Sequence, residues 1–235
     1  MIEIKGFIET SFLDWDDRIS SVIFLPGCNF RCPYCHADTL VLHPEELDLV
    51  PLEIVKKSFQ KHLNWIDGLV ISGGEPTIYS ELPQFIEDIK KNISKIKIKL
   101  DTNGSNPEMI KFLIKNKLVD YIAMDIKTLF KEENYKKIIG GVDFSLDKIM
   151  ESVKILLQNK IDYEFRITVI PFFHSFDDIK EISKMAPKKF VLQQFNPLNA
   201  MGSEIRKIKP YSKEEMEALL KMCVPNVGKC KLRGI

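Results

Sequence analysis

At residues 22–36 the chain reads Val22-Ile23-Phe24-Leu25-Pro26-Gly27-Cys28-Asn29-Phe30-Arg31-Cys32-Pro33-Tyr34-Cys35-His36. An apolar, β-branched run typical of a buried strand passes directly into a loop that contains three cysteines. The spacing Cys28-x3-Cys32-x2-Cys35 brings three thiolates close enough to hold one metal centre, but three are too few to saturate an iron-sulfur cube. One iron would keep an open position, and an open iron is a place for chemistry.

The composition sets broad limits on the class of protein. With 235 residues the chain fits one α/β domain, which we predict to span residues 1–235. Lys and Arg total 34 against 33 Asp and Glu, so the net charge of +1 gives no general attraction for nucleic acid or an anionic membrane. The sequence has no apolar run of membrane-spanning length and no signal-peptide pattern, which predicts a cytoplasmic protein. Five cysteines, three of them in one loop, favour metal ligation over disulfides.

Short β-branched runs alternate with longer amphipathic runs along the chain. Strands are predicted at Ile19–Leu25, Gly68–Ser72, Lys95–Leu100, Tyr121–Asp125, Tyr163–Ile170 and Lys189–Gln194. Helices are predicted at Pro51–Asn64, Glu81–Asn92, Pro107–Lys117, Ser145–Asn159, Phe176–Met185 and Ser212–Met222. This alternation is typical of parallel strands with right-handed crossovers, and the number of units is too small for a closed (β/α) barrel. A partial barrel or an open sheet remains, and both bind ligands at the carboxyl ends of the strands.

Polar residues follow the second and third predicted strands at their carboxyl ends. In Gly73-Gly74-Glu75-Pro76 the two glycines let the backbone approach a ligand, and Glu75 offers an acceptor for an ammonium group. The third strand ends in Asp101-Thr102-Asn103-Gly104. These motifs share a rim with the cysteine loop, which a set of ordinary turns would not explain.

The fourth and fifth predicted strands add charged residues to the same rim. Asp125 and Lys127 point the same way by period-two alternation, inward if the barrel closes far enough. Arg166 shares a strand face with Glu164 and Thr168. Structural ion pairs are the alternative interpretation, either between Asp125 and Lys127 or between Arg166 and one of the carboxylates.

Other interpretations of the metal-binding and titratable residues remain open. Cys35 and His36 suggest a Cys3His zinc site, although adjacent residues do not easily reach one tetrahedral ion. Cys223 and Cys230 are predicted to be free, partly buried thiols. We expect the remaining histidines to be surface or loop residues, namely His43, His62 and His174.

Taken together, the rim motifs resemble the radical S-adenosylmethionine (SAM) superfamily. The resemblance rests on Cys28-x3-Cys32-x2-Cys35, Gly73-Gly74-Glu75-Pro76 and Asp101-Thr102-Asn103-Gly104. Further stretches resemble the activating enzymes of glycyl-radical enzymes, most closely those of anaerobic ribonucleoside-triphosphate reductase. These stretches are residues 4–11 and 22–28, Asp125-Ile126-Lys127, residues 166–171 and Lys231-Leu232-Arg233-Gly234. The resemblance implies a partial (β/α)6 barrel of the radical SAM type.

The resemblance also implies cofactors and partners. Cys28, Cys32 and Cys35 would hold a [4Fe-4S] cluster whose open iron binds the amino and carboxylate groups of SAM. One electron then cleaves SAM to methionine and a 5′-deoxyadenosyl radical, which removes a hydrogen atom from substrate. For an activase that substrate is a glycine of a partner glycyl-radical enzyme. The sequence contains no further cysteine cluster for an electron-transfer insert, so a flavodoxin or ferredoxin would supply the electron.

Carried over by motif, the resemblance assigns roles to individual residues. Gly73, Gly74 and Glu75 would line the methionyl end of SAM. Ribose, carboxylate and adenine would be surrounded by Tyr34, Asp101, Asn103, Asp125, Lys127, Arg166 and Asn196. A monovalent cation would be held by Asp101, Thr102 and Asp125.

Some residues depart from the family pattern and affect the assignment within it. Trp15-Asp16-Asp17-Arg18 replaces a Tyr-Pro-Gly-like turn, Ala37 follows Cys35-His36 where Asn is common, and Asn196 stands where the pyruvate formate-lyase branch has histidine. The reductase branch is therefore favoured. Two alternatives remain: a radical SAM enzyme acting on a small molecule or a tRNA base, such as a 7-carboxy-7-deazaguanine synthase-like enzyme, and a zinc-binding interaction module.

Overall fold

Eight strands form one sheet in the computed structural model, which describes residues 2–62, 65–93 and 95–235. The strands are β1 Gly6–Ser11, β2 Ser20–Leu25, β3 Gly68–Gly73, β4 Lys97–Thr102, β5 Tyr121–Asp125, β6 Asp162–Val169, β7 Lys189–Gln194 and β8 Lys229–Arg233. β2 to β7 confirm the six predicted strands to within two residues at each end. β1 and β8 were not predicted. β8 carries three basic residues among five, so its sequence lacks the usual strand composition.

Each strand pairs with its neighbours in the chain, so the sheet order runs from β1 to β8. β1 is antiparallel to β2, and every following pair is parallel. Within the described residues no ladder joins β1 to β8, and the sheet therefore stays open between its two edges. This arrangement confirms the partial barrel, with six parallel strands at its centre and one additional strand at each edge.

Eight helices connect the strands of the described chain. They are α1 Asp38–Leu42, α2 Leu52–Lys61, α3 Leu82–Asn92, α4 Pro107–Lys115, α5 Glu132–Ile138, α6 Leu146–Leu157, α7 Phe176–Ser183 and α8 Lys213–Cys223. All six predicted helices are present, although Leu63 and Asn64 at the predicted end of α2 lie outside the described residues. α1 and α5 were missed because five and seven residues are too few for helical periodicity to stand out. None of the helices described is long and apolar enough to cross a membrane.

The end of the barrel where the parallel strands begin is filled by the loop between β1 and β2. Trp15 is 4% exposed and packs with Val22, Val70 and Tyr121 on the inner face of the sheet. A Cβ on Gly68 would lie 2.6 Å from the Trp15 ring, so glycine leaves room for the indole. Because this end is filled, the interior cavity lies toward the carboxyl ends of the strands.

The same loop spans the gap between the sheet edges. Asp16 Oδ2 accepts from Lys231 Nζ at 2.7 Å, and Asp16 Oδ1 accepts from Arg233 Nη2 at 3.2 Å. Both basic residues belong to β8, whereas the loop follows β1. The segment that departs from the family pattern therefore has a structural role, because it fills the barrel interior and connects its edges.

Candidate functional site

A cavity of about 420 Å³ lies at the carboxyl ends of the parallel strands. The three cysteines of the loop after β2 form part of its wall. Most of the other predicted site residues line the same cavity, namely Tyr34, Gly73, Gly74, Asp101, Asn103, Asp125, Lys127 and Arg166. The structure thus brings together residues that follow five different strands.

The cysteine loop and the loop after β3 pack directly against each other. The Gly74 amide donates to the Leu25 carbonyl at 2.9 Å, and the Glu75 amide donates to the Gly27 carbonyl at the same distance. A Cβ on Gly74 would lie 1.7 Å from the Gly27 carbonyl oxygen. Glycine at position 74 is therefore required by the contact between the two loops, in addition to the predicted approach of a ligand.

The cysteine sulfurs receive hydrogen bonds that suit metal-binding thiolates. The Phe30 amide donates to Cys28 Sγ at 3.3 Å, and the Ala37 amide donates to Cys35 Sγ at 3.4 Å. Burial raises the pKa of Cys28 to about 12 and also raises the pKa of Cys32, so both are thiols unless a cationic centre is bound. A bound metal lowers thiol pKa values strongly, and the donor set therefore fits a metal cofactor.

The cysteine sulfurs are not gathered as closely as ligands of a single zinc ion. Zn–S bonds of about 2.3 Å keep ligand sulfurs within about 4.6 Å of each other. Among the described residues, the group of three possible ligands whose atoms all lie within 4.8 Å is His43, Glu45 and Glu46, which are exposed. The three cysteines of the loop do not form such a group. Their spacing in this structure therefore does not favour the zinc interpretation.

An ion-paired row of side chains forms the wall below the cysteines. Arg166 Nε donates to Asp125 Oδ1 at 2.8 Å, and Arg166 Nη1 donates to Asp101 Oδ2 at 3.0 Å. Lys127 Nζ donates to Asp125 Oδ2 at 3.2 Å. Burial alone would raise the pKa of Asp125, but Arg166 and Lys127 hold it well below its usual range. These residues therefore form the ion pairs of the structural interpretation and also line the cavity, as the functional interpretation predicted.

Glu75 does not reach the cavity, in contrast to the sequence-based expectation. Its side chain is fully buried, and Oε1 accepts from the Thr77 amide at 3.0 Å and from Thr102 Oγ1 at 2.7 Å, while Oε2 accepts from the Asn103 amide at 2.6 Å. Burial raises the pKa of Glu75, and these hydrogen bonds oppose that shift. In this structure Glu75 joins the loops after β3 and β4, and its contact with SAM stays a prediction.

The three residues implied in a monovalent cation site, Asp101, Thr102 and Asp125, line the same cavity. Thr102 Oγ1 is directed to Glu75, and Arg166 already bridges the carboxylates of Asp101 and Asp125. The guanidinium thus places positive charge between these two carboxylates. The monovalent cation stays a prediction.

Asn196 does not line the cavity itself, although it contacts His36, which does. Its side-chain oxygen accepts from the Leu198 amide at 3.0 Å, and its carbonyl oxygen is 2.7 Å from His36 Nε2. Tyr34, by contrast, lines the cavity, with Lys127 Nζ 5.8 Å from its ring centroid. Of the residues predicted near adenine, the structure therefore places Tyr34 at the site and leaves Asn196 at its margin.

Sequence reasoning missed Lys99, which is buried beneath the ion-paired row. Its ammonium donates to the Asp14 carbonyl and lies 3.5 Å from Asp101 Oδ1 and 3.9 Å from Glu164 Oε1. The signal was available, because Lys99 precedes Asp101 by two residues and period-two alternation places both on the inner face. Asp14, Ser72 and Met201 also line the cavity and were not predicted as site residues.

His174 lies in the loop between β6 and α7, as predicted, but its side chain is buried and not at the surface. Its Nδ1 accepts from the Ile170 amide at 3.0 Å, so Nε2 carries the proton and donates to the Lys127 carbonyl at 2.8 Å. Burial lowers the pKa of His174 to about 4, and the ring is neutral near pH 7. His174 therefore links the exit of β6 to the backbone of Lys127. Cys223 and Cys230 are free thiols, as predicted.

Comparison with known sequences gives one relative of similar length and partial matches to longer proteins. The chain is 32% identical to a Methanocaldococcus jannaschii protein provisionally named a glycyl-radical enzyme activating enzyme, over 99% of this chain and 96% of the relative. It is 38% identical to a protein provisionally named GTP 3′,8-cyclase from Methanococcus aeolicus, over 49% of this chain and 39% of the relative.

Solved structures and a family model complete the comparison. Streptococcus suis SuiB matches with a TM-score of 0.66 at 17% identity, over 88% of this chain and about half (47%) of SuiB. QueE from Escherichia coli matches with a TM-score of 0.60 at 13% identity, over 100% of this chain and 94% of QueE. The Radical SAM superfamily model matches residues 22–186, which include the cysteine loop and the charged residues Asp125, Lys127 and Arg166. The chain therefore belongs to the radical SAM superfamily.

Proposed function

We propose that this chain is an activase that cleaves SAM reductively and abstracts a hydrogen atom from a glycine of a partner glycyl-radical enzyme. The observation that carries the proposal is one cavity in which three cysteines face the row of Asp101, Asp125, Lys127 and Arg166. The near full-length similarity to a provisionally named activating enzyme supports the protein substrate. The partner we propose is an anaerobic ribonucleotide reductase. We propose that the activase acts on it in the cytoplasm.

Cys28, Cys32 and Cys35 would hold the [4Fe-4S] cluster that radical SAM enzymes use. When bound and reduced, the cluster supplies the electron that cleaves SAM. A flavodoxin or ferredoxin is the proposed source of that electron. The amide hydrogen bonds to Cys28 and Cys35 support this role, because they stabilise negative charge on sulfur.

The charged wall would bind the polar parts of SAM. Lys127 would meet the carboxylate of the methionyl group, and Asp101 and Asp125 would offer acceptors to ribose hydroxyls. Arg166 holds both carboxylates through two of its three guanidinium nitrogens, so their orientation is set before SAM binds. Tyr34 would pack against adenine, as an aromatic ring at the edge of the cavity can.

Small-molecule chemistry is the second candidate, since the chain resembles GTP 3′,8-cyclases over about half of its length. That similarity includes only 39% of the cyclase, whereas the activating-enzyme similarity includes 96% of its relative. The activase is therefore favoured. A GTP analogue would bind tightly to the reconstituted protein if the cyclase activity were the correct one.

The decisive experiment mixes the anaerobically reconstituted, reduced protein with SAM and the anaerobic ribonucleotide reductase of the same genome. We expect about four irons per chain, 5′-deoxyadenosine as product and a glycyl-radical doublet on the reductase by electron paramagnetic resonance. The Cys32→Ala variant is the negative control, and Cys230→Ala is the matched thiol control. Formation of 5′-deoxyadenosine without the doublet would reject the reductase as partner while retaining the radical SAM activity.

A further inference from the structure

A groove lined by lysines lies between α4 and α6 on the outer surface of the barrel. Its volume is about 530 Å³. The partly buried side chains of Ile114 and Ile155 form its apolar floor. Its rim consists of exposed residues, namely Lys111, Lys115, Lys117, Glu151, Lys154, Gln158 and Lys160. We call this surface the α4–α6 groove.

The charge of the groove is strongly one-sided. It has five lysines and one glutamate, although the whole chain has a net charge of only +1. Elsewhere on the described surface, lysines pair with carboxylates three residues earlier, as in Lys56–Glu53, Lys91–Asp88, Lys184–Glu181 and Lys207–Glu204. Within the described ranges, the five groove lysines form no such pair. The groove therefore has positive charge that the protein itself does not neutralise.

Local helix stability does not account for all of these lysines. Lys115 and Lys154 lie in the last turns of their helices, where a positive charge interacts favourably with the helix dipole. Lys111 lies in the middle of α4, and its position four residues before Lys115 makes a like-charge pair that destabilises an isolated helix. Lys117 and Lys160 follow the helix ends. An anionic ligand would relieve this repulsion.

The floor of the groove indicates the kind of anion. Ile114 and Ile155 offer apolar contacts between the lysine rims, which suits a ligand with an apolar stripe flanked by carboxylates. The lining contains no aromatic ring on which a nucleic-acid base could stack. The pattern therefore matches an acidic amphipathic protein segment better than a nucleic acid.

We propose that the α4–α6 groove docks an acidic amphipathic segment of a partner protein. α4 and α6 begin near the carboxyl ends of the strands and run toward the opposite end, where Lys117 and Lys160 precede β5 and β6. A segment bound along this groove leaves the cysteine cavity accessible. This inference is independent of the proposed function, since it rests on the outer surface alone.

The test measures fluorescence anisotropy of a labelled synthetic peptide of about 14 residues, or four helical turns, with leucines on one face and glutamates elsewhere. The full-length protein should bind it, and affinity should fall as salt rises. The double variant Lys115→Glu/Lys154→Glu should weaken binding about tenfold or more. The matched control Lys57→Glu/Lys221→Glu changes two exposed lysines elsewhere by the same net charge and should alter affinity less than twofold.

Two additional probes identify the ligand chemistry. A peptide with serine in place of every leucine keeps its charge but should bind at least about fivefold more weakly, because the apolar floor is unused. If the glutamate variant fails to fold, Lys115→Gln/Lys154→Gln replaces it, because this variant removes the two positive charges without adding negative ones. Equal peptide affinity in the groove and control variants overturns the proposal. The proposal is also overturned if single-stranded DNA or anionic vesicles bind more tightly than the peptide and the groove variants abolish that binding.

Discussion

Asp125 and Arg166 lie directly opposite each other in the parallel ladder of β5 and β6, and Arg166 Nε donates to Asp125 Oδ1 at 2.8 Å. The contact is therefore set by strand register and does not depend on a mobile loop. A second hydrogen bond of the same guanidinium, from Arg166 Nη1 to Asp101 Oδ2 at 3.0 Å, connects it to β4. Three neighbouring strands thus share one guanidinium at the cavity wall.

Replacing Arg166 by lysine tests whether this geometry serves SAM. The positive charge stays, but the planar fork that holds two carboxylates is lost, so SAM cleavage should slow on the order of tenfold or more. Rates of 5′-deoxyadenosine formation and iron content measure the effect, with Arg206→Lys as control outside the cavity. An unchanged cleavage rate at full iron content would show that Arg166 is only a structural ion-pair partner.

Gly74→Ala tests the contact between the two loops. The added Cβ would lie 1.7 Å from the Gly27 carbonyl oxygen, which must then move together with the cysteine loop. We expect the free energy of unfolding to fall by about 2–4 kcal/mol and iron loading to decrease. Gly141→Ala is the control for steric contact, because no atom lies within 4 Å of the added Cβ; Gly141 has a positive φ, which Gly74 lacks, so this control carries its own backbone cost. Equal losses in both variants would contradict the loop-contact explanation.

Lys99→Met tests the buried cation beneath the site. Removal of the ammonium leaves Asp101 and Glu164 without this partner, and a buried charge that loses its partner costs about 3–5 kcal/mol of stability. Denaturant unfolding measures the loss. Adding Glu164→Gln to Lys99→Met should recover part of it, since one buried charge is then removed. A double variant less stable than the single one would argue against electrostatic compensation.

Asp16→Asn tests the connection across the barrel gap by its pH dependence. Burial opposes ionisation, but Lys231 and Arg233 lower the pKa of Asp16 below its usual value. A carboxyl with a lowered pKa stabilises the fold above its unfolded pKa of about 3.9 and loses that contribution as the pH falls below it. The variant should therefore be less stable by about 1 kcal/mol at pH 7 and equal to the parent protein at low pH. A difference that does not change between pH 7 and pH 3 would mean that the carboxylate charge is not responsible.

Most strand positions were predictable because their cause is local. Apolar, β-branched runs between turn residues placed β2 to β7 within two residues. The edge strands β1 and β8 were not predictable in this way, since each is held by only one neighbour. Trp15 looked like a departure from a family pattern, and only its packing against Val22, Val70 and Tyr121 shows why an indole stands there.

The sequence by itself determined the three-cysteine donor set and the rim on which it lies, because ligand spacing within one loop and strand alternation are properties of adjacent residues. The tertiary structure decided which rim residues face the cavity. Glu75 turns inward to Thr102 and the Asn103 amide, whereas Lys99 reaches Asp101 and Glu164 from below. These choices depend on buried polar groups finding partners on other strands, and such partners are fixed only when the sheet has formed.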